Sequence, residues 1–292
     1  MYRSGALVRA TLDTRKEALA SIALGYRLTE EATNCGRKDE AMTENEIAVE
    51  TDDGRMRVFL VHPDGGGPFP VALLYMDGVG YREQVKANAR RFAADGYFCV
   101  APDLFYRFGD DVTFDFSQMG DPGFRERVIS LIGGLKPQMV AADTQALLAA
   151  VANDPAAAAG PKVCVGYCMG ARMALHVAAA LPDEFVAAAG IHPGALVTEA
   201  PDSPHHDLAG VRGELYFAFA ENDRSATAEV VDRFRTELER QGVRGDVERL
   251  SGTSHGFAMA DLPVYDERAA EHHFERTLEL WRRNLAQEAV QA

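Results

Sequence analysis

Three side chains, Cys168, Asp223 and His255, each stand just past the end of a predicted strand. A thiol, a carboxylate and an imidazole together can carry nucleophilic acyl transfer: the imidazole takes the thiol proton and the carboxylate orients the imidazole. Cys168 lies in Val165-Gly166-Tyr167-Cys168-Met169-Gly170, between an apolar strand and an apolar helix. The pattern is glycine, any residue, nucleophile, any residue, glycine. Such a turn strains the backbone at the nucleophile, and its glycines stand where side chains would strike neighbouring backbone. The helix start behind Cys168 adds N–H groups and positive potential, which favour a thiolate and an oxyanion. By itself the segment fits a buried cysteine in a glycine-rich turn equally well.

Its company favours chemistry. Asp223 closes Phe217-Ala218-Phe219-Ala220-Glu221-Asn222-Asp223, and His255 lies in Ser251-Gly252-Thr253-Ser254-His255-Gly256-Phe257. The chain order nucleophile, acid, histidine is the one this type of turn requires. The bland alternatives are a helix cap for Asp223 and an ordinary loop histidine for His255. His192, in Gly190-Ile191-His192-Pro193-Gly194, also follows a strand, but it precedes Asp223 and ranks as a pocket-lining residue at most. His205-His206 and His272-His273 lack the spacing and carboxylate company of a metal site, so neither a metal nor a cofactor is expected. No G-x-G-x-x-G follows an early strand, which argues against a dinucleotide oxidoreductase.

These residues need a scaffold that presents strand ends side by side. Strands are predicted over 46–51, 55–61, 71–75, 97–100, 162–165, 185–191, 214–219 and 247–250. Helices are predicted over 83–94, 136–152, from the Cys168 turn to 181, and over 225–241. A last helix carries Ala270, Phe274, Leu278, Trp281 and Leu285 on one face. The alternation implies an α/β fold: a mostly parallel sheet of about eight strands covered by helices on both faces, with its site at the strand ends. One domain over 42–292 suffices. Residues 1–41 read as an N-terminal extension, helical around 14–27 and otherwise flexible, that folding does not need. Met42 could equally be a start codon.

Composition narrows the function further. With 47% hydrophobic and 25% charged residues in 292, the chain is globular rather than disordered. A formal charge of −14 argues against nucleic acid and anionic membranes as partners. No apolar run is long enough to span a bilayer, and the first twenty residues contain no secretory apolar core. The four cysteines, Cys35, Cys99, Cys164 and Cys168, form no CxxC pair, which suits a reducing, cytoplasmic setting. A monomer or small homo-oligomer acting on a small molecule is expected.

Over residues 45–285 the chain resembles the dienelactone hydrolase family, cysteine-dependent members of the α/β-hydrolase fold. The resemblance rests on Gly166-Tyr167-Cys168-Met169-Gly170, Ala101-Pro102-Asp103-Leu104-Phe105, Asp223 and Ser254-His255-Gly256-Phe257. It implies a Cys168–His255–Asp223 triad hydrolysing small esters or lactones. It also implies that Asp77, in Tyr75-Met76-Asp77-Gly78, contacts the resting thiol, and that the N–H groups of Gly78 and Met169 form an oxyanion hole. Family members hold a substrate carboxylate with a serine and an arginine after the histidine. This chain has Gly256 and Met259 there, with Phe257 and Ala258 between. Arg107, Arg125 or Arg127, in an aromatic-rich insert over 105–135, could supply the missing charge; Phe257, Met259 and His192 would line the pocket. Without such a cation, neutral substrates are favoured. A non-catalytic protein of the same fold remains an alternative, as does a thiol-redox protein, for which Cys164 would be a poor resolving partner.

Overall fold

The computed structural model describes residues 41–291 except 110, 111 and 115. The expectations for the N-terminal extension, with its helix around 14–27, therefore lie outside the described residues, as does Cys35.

Eight strands form one sheet in the order β1-β2-β4-β3-β5-β6-β7-β8. They are β1 (Met42–Thr51), β2 (Gly54–Pro63), β3 (Val71–Tyr75), β4 (Phe98–Pro102), β5 (Lys162–Tyr167), β6 (Phe185–Ile191), β7 (Glu214–Asn222) and β8 (Gly245–Ser254). β2 pairs antiparallel with both β1 and β4, and every other neighbouring pair is parallel. The composition of each strand explains its place. β3 is Val-Ala-Leu-Leu-Tyr, buried throughout, as a central parallel strand flanked by helices must be. β1 and β8 carry charged side chains and partly exposed positions, which blunt the two free edges against further pairing.

Among the described residues, six helices accompany the sheet: α1 (Glu83–Ala93), α2 (Pro122–Gly134), α3 (Pro137–Val151), α4 (Met169–Ala180), α5 (Ala228–Gln241) and α6 (Glu267–Gln291). α1 buries Val85, Asn88, Ala89, Phe92 and Ala93, the i, i+3/i+4 recurrence of one face. α4 is buried along most of its length, as its alanines require. The expected face of α6 is buried at Ala270, Phe274, Leu278 and Trp281, with Trp281 packed on Phe92 and Tyr97. Three of the boundaries that moved bear on the site. β7 runs on to Asn222 and β8 spans Gly245–Ser254, so Asp223 and His255 directly follow their strands. α5 begins at Ala228 rather than 225, because Thr227 caps it by accepting from the Val230 N–H, and it ends at Gly242 in a left-handed conformation.

The chain steps from β3 outward to β4, then returns across β3 to β5 and continues the other way. The reversal leaves a crevice beyond the carboxyl ends of β3 and β5. Asp77 and Gly78 follow β3, and Cys168 follows β5. No helix among the described residues is long and apolar enough to cross a membrane.

Candidate active site

Cys168 joins the end of β5 to the first turn of α4 with φ 55° and ψ −113°, a left-handed conformation that a non-glycine residue adopts only under constraint. Its N–H is held by the Ile191 carbonyl of β6 at 3.0 Å. The flanking glycines are required by contact. A Cβ on Gly166 would overlap the Gly170 carbonyl, and one on Gly170 would overlap the Tyr75 and Met76 carbonyls at the end of β3. The first turn of α4 is thus pressed onto β3. Met169 opens that helix, so its N–H lacks an acceptor one turn back and is available to an oxyanion.

The sulfur lies 3.0 Å from His255 Nε2, and His255 Nδ1 lies 2.6 Å from Asp223 Oδ2. The other Asp223 oxygen accepts from the N–H and hydroxyl of Ser225, both at 2.8 Å. This fixes the carboxylate in the loop before α5, so Asp223 is not a helix cap. Burial works against a charge on His255, but the Cys168 thiolate and the Asp223 carboxylate outweigh it and push the imidazole up to about 10. Burial likewise opposes ionisation of Asp223, and the hydrogen bond and charge of His255 reverse that, lowering its pKa. The sulfur, the imidazole and the carboxylate thus lie on one continuous line of contacts.

His192 is fully buried with φ 39°, and its ring meets that of His255 edge-on at 5.3 Å. Burial first, then the neighbouring His255 and His273, hold it well below the usual histidine range, so it stays neutral. It packs beneath the His255 imidazole. Phe257 meets the His192 ring edge-on at 5.3 Å. Both belong to the core under the site, as does Met259, whose sulfur accepts a hydrogen bond from Asn88 Nδ2 at 3.7 Å. None of the three supplies an open pocket wall.

Asp77 differs from expectation. Its Oδ1 accepts from the Val79 N–H at 3.1 Å and from Arg82 Nη1 at 2.6 Å, and its Oδ2 accepts from Arg82 Nη2 at 3.0 Å. The carboxylate is committed to Arg82, and no hydrogen bond joins it to the thiol. Arg82 also reaches Asp261, in the loop behind His255, through Nε at 2.5 Å and Nη2 at 3.1 Å. Burial disfavours the charge on Arg82, but the two carboxylates more than restore it. Gly78 is packed beneath the insert: a Cβ there would come within 2.5 Å of Ile132 Cδ1 and 3.4 Å of Val128 Cγ1, both from α2.

The arginines proposed for a substrate carboxylate are placed otherwise. Arg107 is buried and bound to Asp143 at 2.7 Å and Asp53 at 3.2 Å, a structural tie between α3 and the β1–β2 turn. Arg125 and Arg127 are exposed on α2, Arg127 lying over the Phe114 ring. Arg172, which sequence reasoning passed over, stands one helical turn beyond Cys168. Its Nε is buried without a hydrogen-bond partner, and among the described residues it forms no ion pair. Burial lowers its pKa, and the Cys168 charge partly counters this. An arginine on a helix apolar but for His176, four residues after Cys168, was the available signal. Among the described residues no three His, Cys, Asp or Glu side chains converge to hold a metal ion.

Comparison with known proteins agrees with this architecture. Over 94% of its length and 94% of the relative's, the chain is 24% identical to a protein of Methylorubrum extorquens named "Putative carboxymethylenebutenolidase". It is 29% identical over 113 residues, 39% of this chain and 46% of the other, to a carboxymethylenebutenolidase of Pseudomonas sp. strain P51. Among solved structures, one described as "Putative Dienelactone Hydrolase" from Klebsiella pneumoniae superposes with a TM-score of 0.73 at 20% identity, covering 83% of this chain and 99% of that one. The profile of the dienelactone hydrolase family matches residues 56–285. The chain belongs to the dienelactone hydrolase family, hydrolases of the α/β-hydrolase fold.

Proposed function

We propose that the protein hydrolyses small, neutral carboxylic esters or lactones by acyl transfer through Cys168. The observation that carries this reading is the continuous line from Asp223 through both nitrogens of His255 to the sulfur, at 2.6 and 3.0 Å. The thiolate attacks the carbonyl carbon, and the developing oxyanion is received by the N–H groups of Met169 and Gly78. Collapse of the tetrahedral intermediate expels the alkoxide, which takes the proton from the His255 imidazolium. Acylation removes the thiolate charge that had helped keep His255 protonated. The now neutral imidazole accepts a proton from water as its oxygen attacks the thioester, and the departing thiolate restores the resting pair.

Two features support a neutral, apolar acyl group. Ile132 and Val128 lie over Gly78, and the nearby Arg82 is saturated by two carboxylates. The thiol-redox alternative is disfavoured because Cys164 is buried and burial pushes its thiol up, leaving no reactive partner for Cys168 on β5. The test is turnover of p-nitrophenyl acetate and small lactones. Cys168→Ala should lose at least about a thousandfold in kcat, and wild-type protein quenched during turnover should carry one acyl group on Cys168 by mass spectrometry. Turnover unchanged in Cys168→Ala would overturn the assignment.

A further inference from the structure

Arg82 takes no part in the steps above, yet its guanidinium donates five hydrogen bonds from a nearly enclosed position. Nη1 and Nη2 grip Asp77, Nε and Nη2 grip Asp261, and Nη1 also reaches the Gly80 carbonyl at 3.1 Å. The side chain is 15% exposed, Asp77 3% and Asp261 27%. A planar fork can serve two carboxylates on two edges at once, which a lysine cannot do.

The two carboxylates come from opposite sides of the reaction. Asp77 begins the loop between β3 and α1 that contains Gly78, and Asp261 lies in the loop that leaves His255. The first loop is anchored at its root, where the Tyr75 and Met76 carbonyls press on Gly170. Its tip is shaped by Asp77, which accepts from Val79 N–H, while the Asp77 carbonyl accepts from Gly80 N–H at 3.1 Å. The second loop is a run of tight turns, Met259 N–H to Gly256 carbonyl and Leu262 N–H to Met259 carbonyl, with Asp261 projecting from it. Among the described ion pairs, Arg82 is the side chain that joins them. We propose that Arg82 is a positioning residue: by gripping Asp77 and Asp261 together it sets the Gly78 N–H at its working distance from Cys168 and His255. This rests on the hydrolytic reading above.

A buried ion triad could instead serve stability alone, so the test must separate the two roles. Alkylation of Cys168 by iodoacetamide needs the thiolate and His255 but forms no oxyanion, whereas ester hydrolysis needs both. In the full chain, Arg82→Lys keeps a charge near Asp77 and loses the two-sided fork. Asp261→Asn weakens only the more exposed half and guards against a variant that does not fold. For p-nitrophenyl acetate, Arg82→Lys should lower kcat about 10- to 100-fold, the loss expected when an oxyanion donor is misplaced, with KM within about threefold. Asp261→Asn should lower kcat by about three- to tenfold. In both variants the alkylation rate at Cys168, followed by peptide mass spectrometry, should stay within about twofold of wild type. Unchanged kcat in both variants overturns the proposal, and so does a parallel fall of kcat and alkylation, which would mark a general structural role. Loss of the hydrolytic reading itself would be seen separately, as turnover persisting in Cys168→Ala.

Discussion

The turn at Cys168 and the insert over 105–135 meet around Gly78 but are held by different kinds of contact. At the turn, backbone meets backbone: Gly166 against Gly170, and Gly170 against the carbonyls of Tyr75 and Met76. In the insert, α2 has no buried residue, and it reaches Gly78 through the ends of two side chains, Ile132 and Val128. The first contact allows one geometry for Cys168. The second can be exchanged residue by residue without disturbing the sheet. Within this molecule, Cys168 is held where backbone cannot move, and α2 lies where substitution is tolerated.

The largest effect that would test this contrast is on stability. Gly170→Ala should cost about 3 kcal/mol or more, since its Cβ meets backbone that cannot yield. In a domain of this size that lowers Tm by about 10 °C. Ile129→Ala, on the exposed side of α2, should change stability by no more than about 0.5 kcal/mol. Thermal unfolding of both variants checks the difference, and equal Tm values would erase the distinction between the two regions.

The same contrast explains what was legible in the sequence. Cys168, Asp223 and His255 each follow a strand with an apolar run and a turn, local patterns that read directly. The mostly parallel sheet also followed from strand–helix alternation, though its strand order did not. Arg82 was not legible: its tie to Asp261 joins residues 179 positions apart, and no local pattern marks such a pair. Arg107 looked like a pocket cation because it stands among aromatics, but its partners Asp53 and Asp143 arrive from β1–β2 and α3. Helix α2 escaped notice because its apolar residues form no clean stripe, the consequence of lying over a site rather than on a core. Met259 and Phe257 were read as pocket because they follow His255, yet tight turns fold them inward beneath it.

On the rigid side, the proton on His255 is the quantity to follow. The imidazole is raised to about 10, so its proton is present below that pH and is lost as pH rises through it. Expulsion of a poor leaving group needs that proton. For alkyl esters, kcat/KM should therefore fall about tenfold per pH unit above pH 10, while p-nitrophenyl esters, whose leaving group needs no acid, should hold up. A basic limb near 6.5 for alkyl esters would mean that the resting pair is a neutral thiol and imidazole.

On the tolerant side, Ile132→Ala opens the space over Gly78. The ratio of kcat/KM for p-nitrophenyl octanoate to that for the acetate should rise by up to about tenfold, the worth of a few newly accommodated methylenes. The Cys168 alkylation rate should not change. A uniform fall for all chain lengths would instead place Ile132 in the support of the oxyanion loop.

The smallest expected effect concerns substrate charge, where the two regions pull in opposite directions. Arg82 is spent on two carboxylates, Arg107 on two more, and Arg125 and Arg127 stand exposed on α2. Met259, at the place of the family arginine, is buried against Asn88. A chain charge of −14 adds a weak repulsion, screened beyond about 8–10 Å. A neutral ester should thus be preferred over its carboxylate-bearing analogue. The opposing term is Arg172, a cation one turn from the thiol that has no acidic partner among the described residues, so the preference should be at most about tenfold, ~1.4 kcal/mol in the barrier. Arg172→Gln should widen it by slowing the anionic substrate alone. Matched esters with and without a distal carboxylate, assayed at low and high salt, decide the matter. A clear preference for the anion that disappears in Arg172→Gln would move the specificity determinant from the insert to the helix that carries the nucleophile.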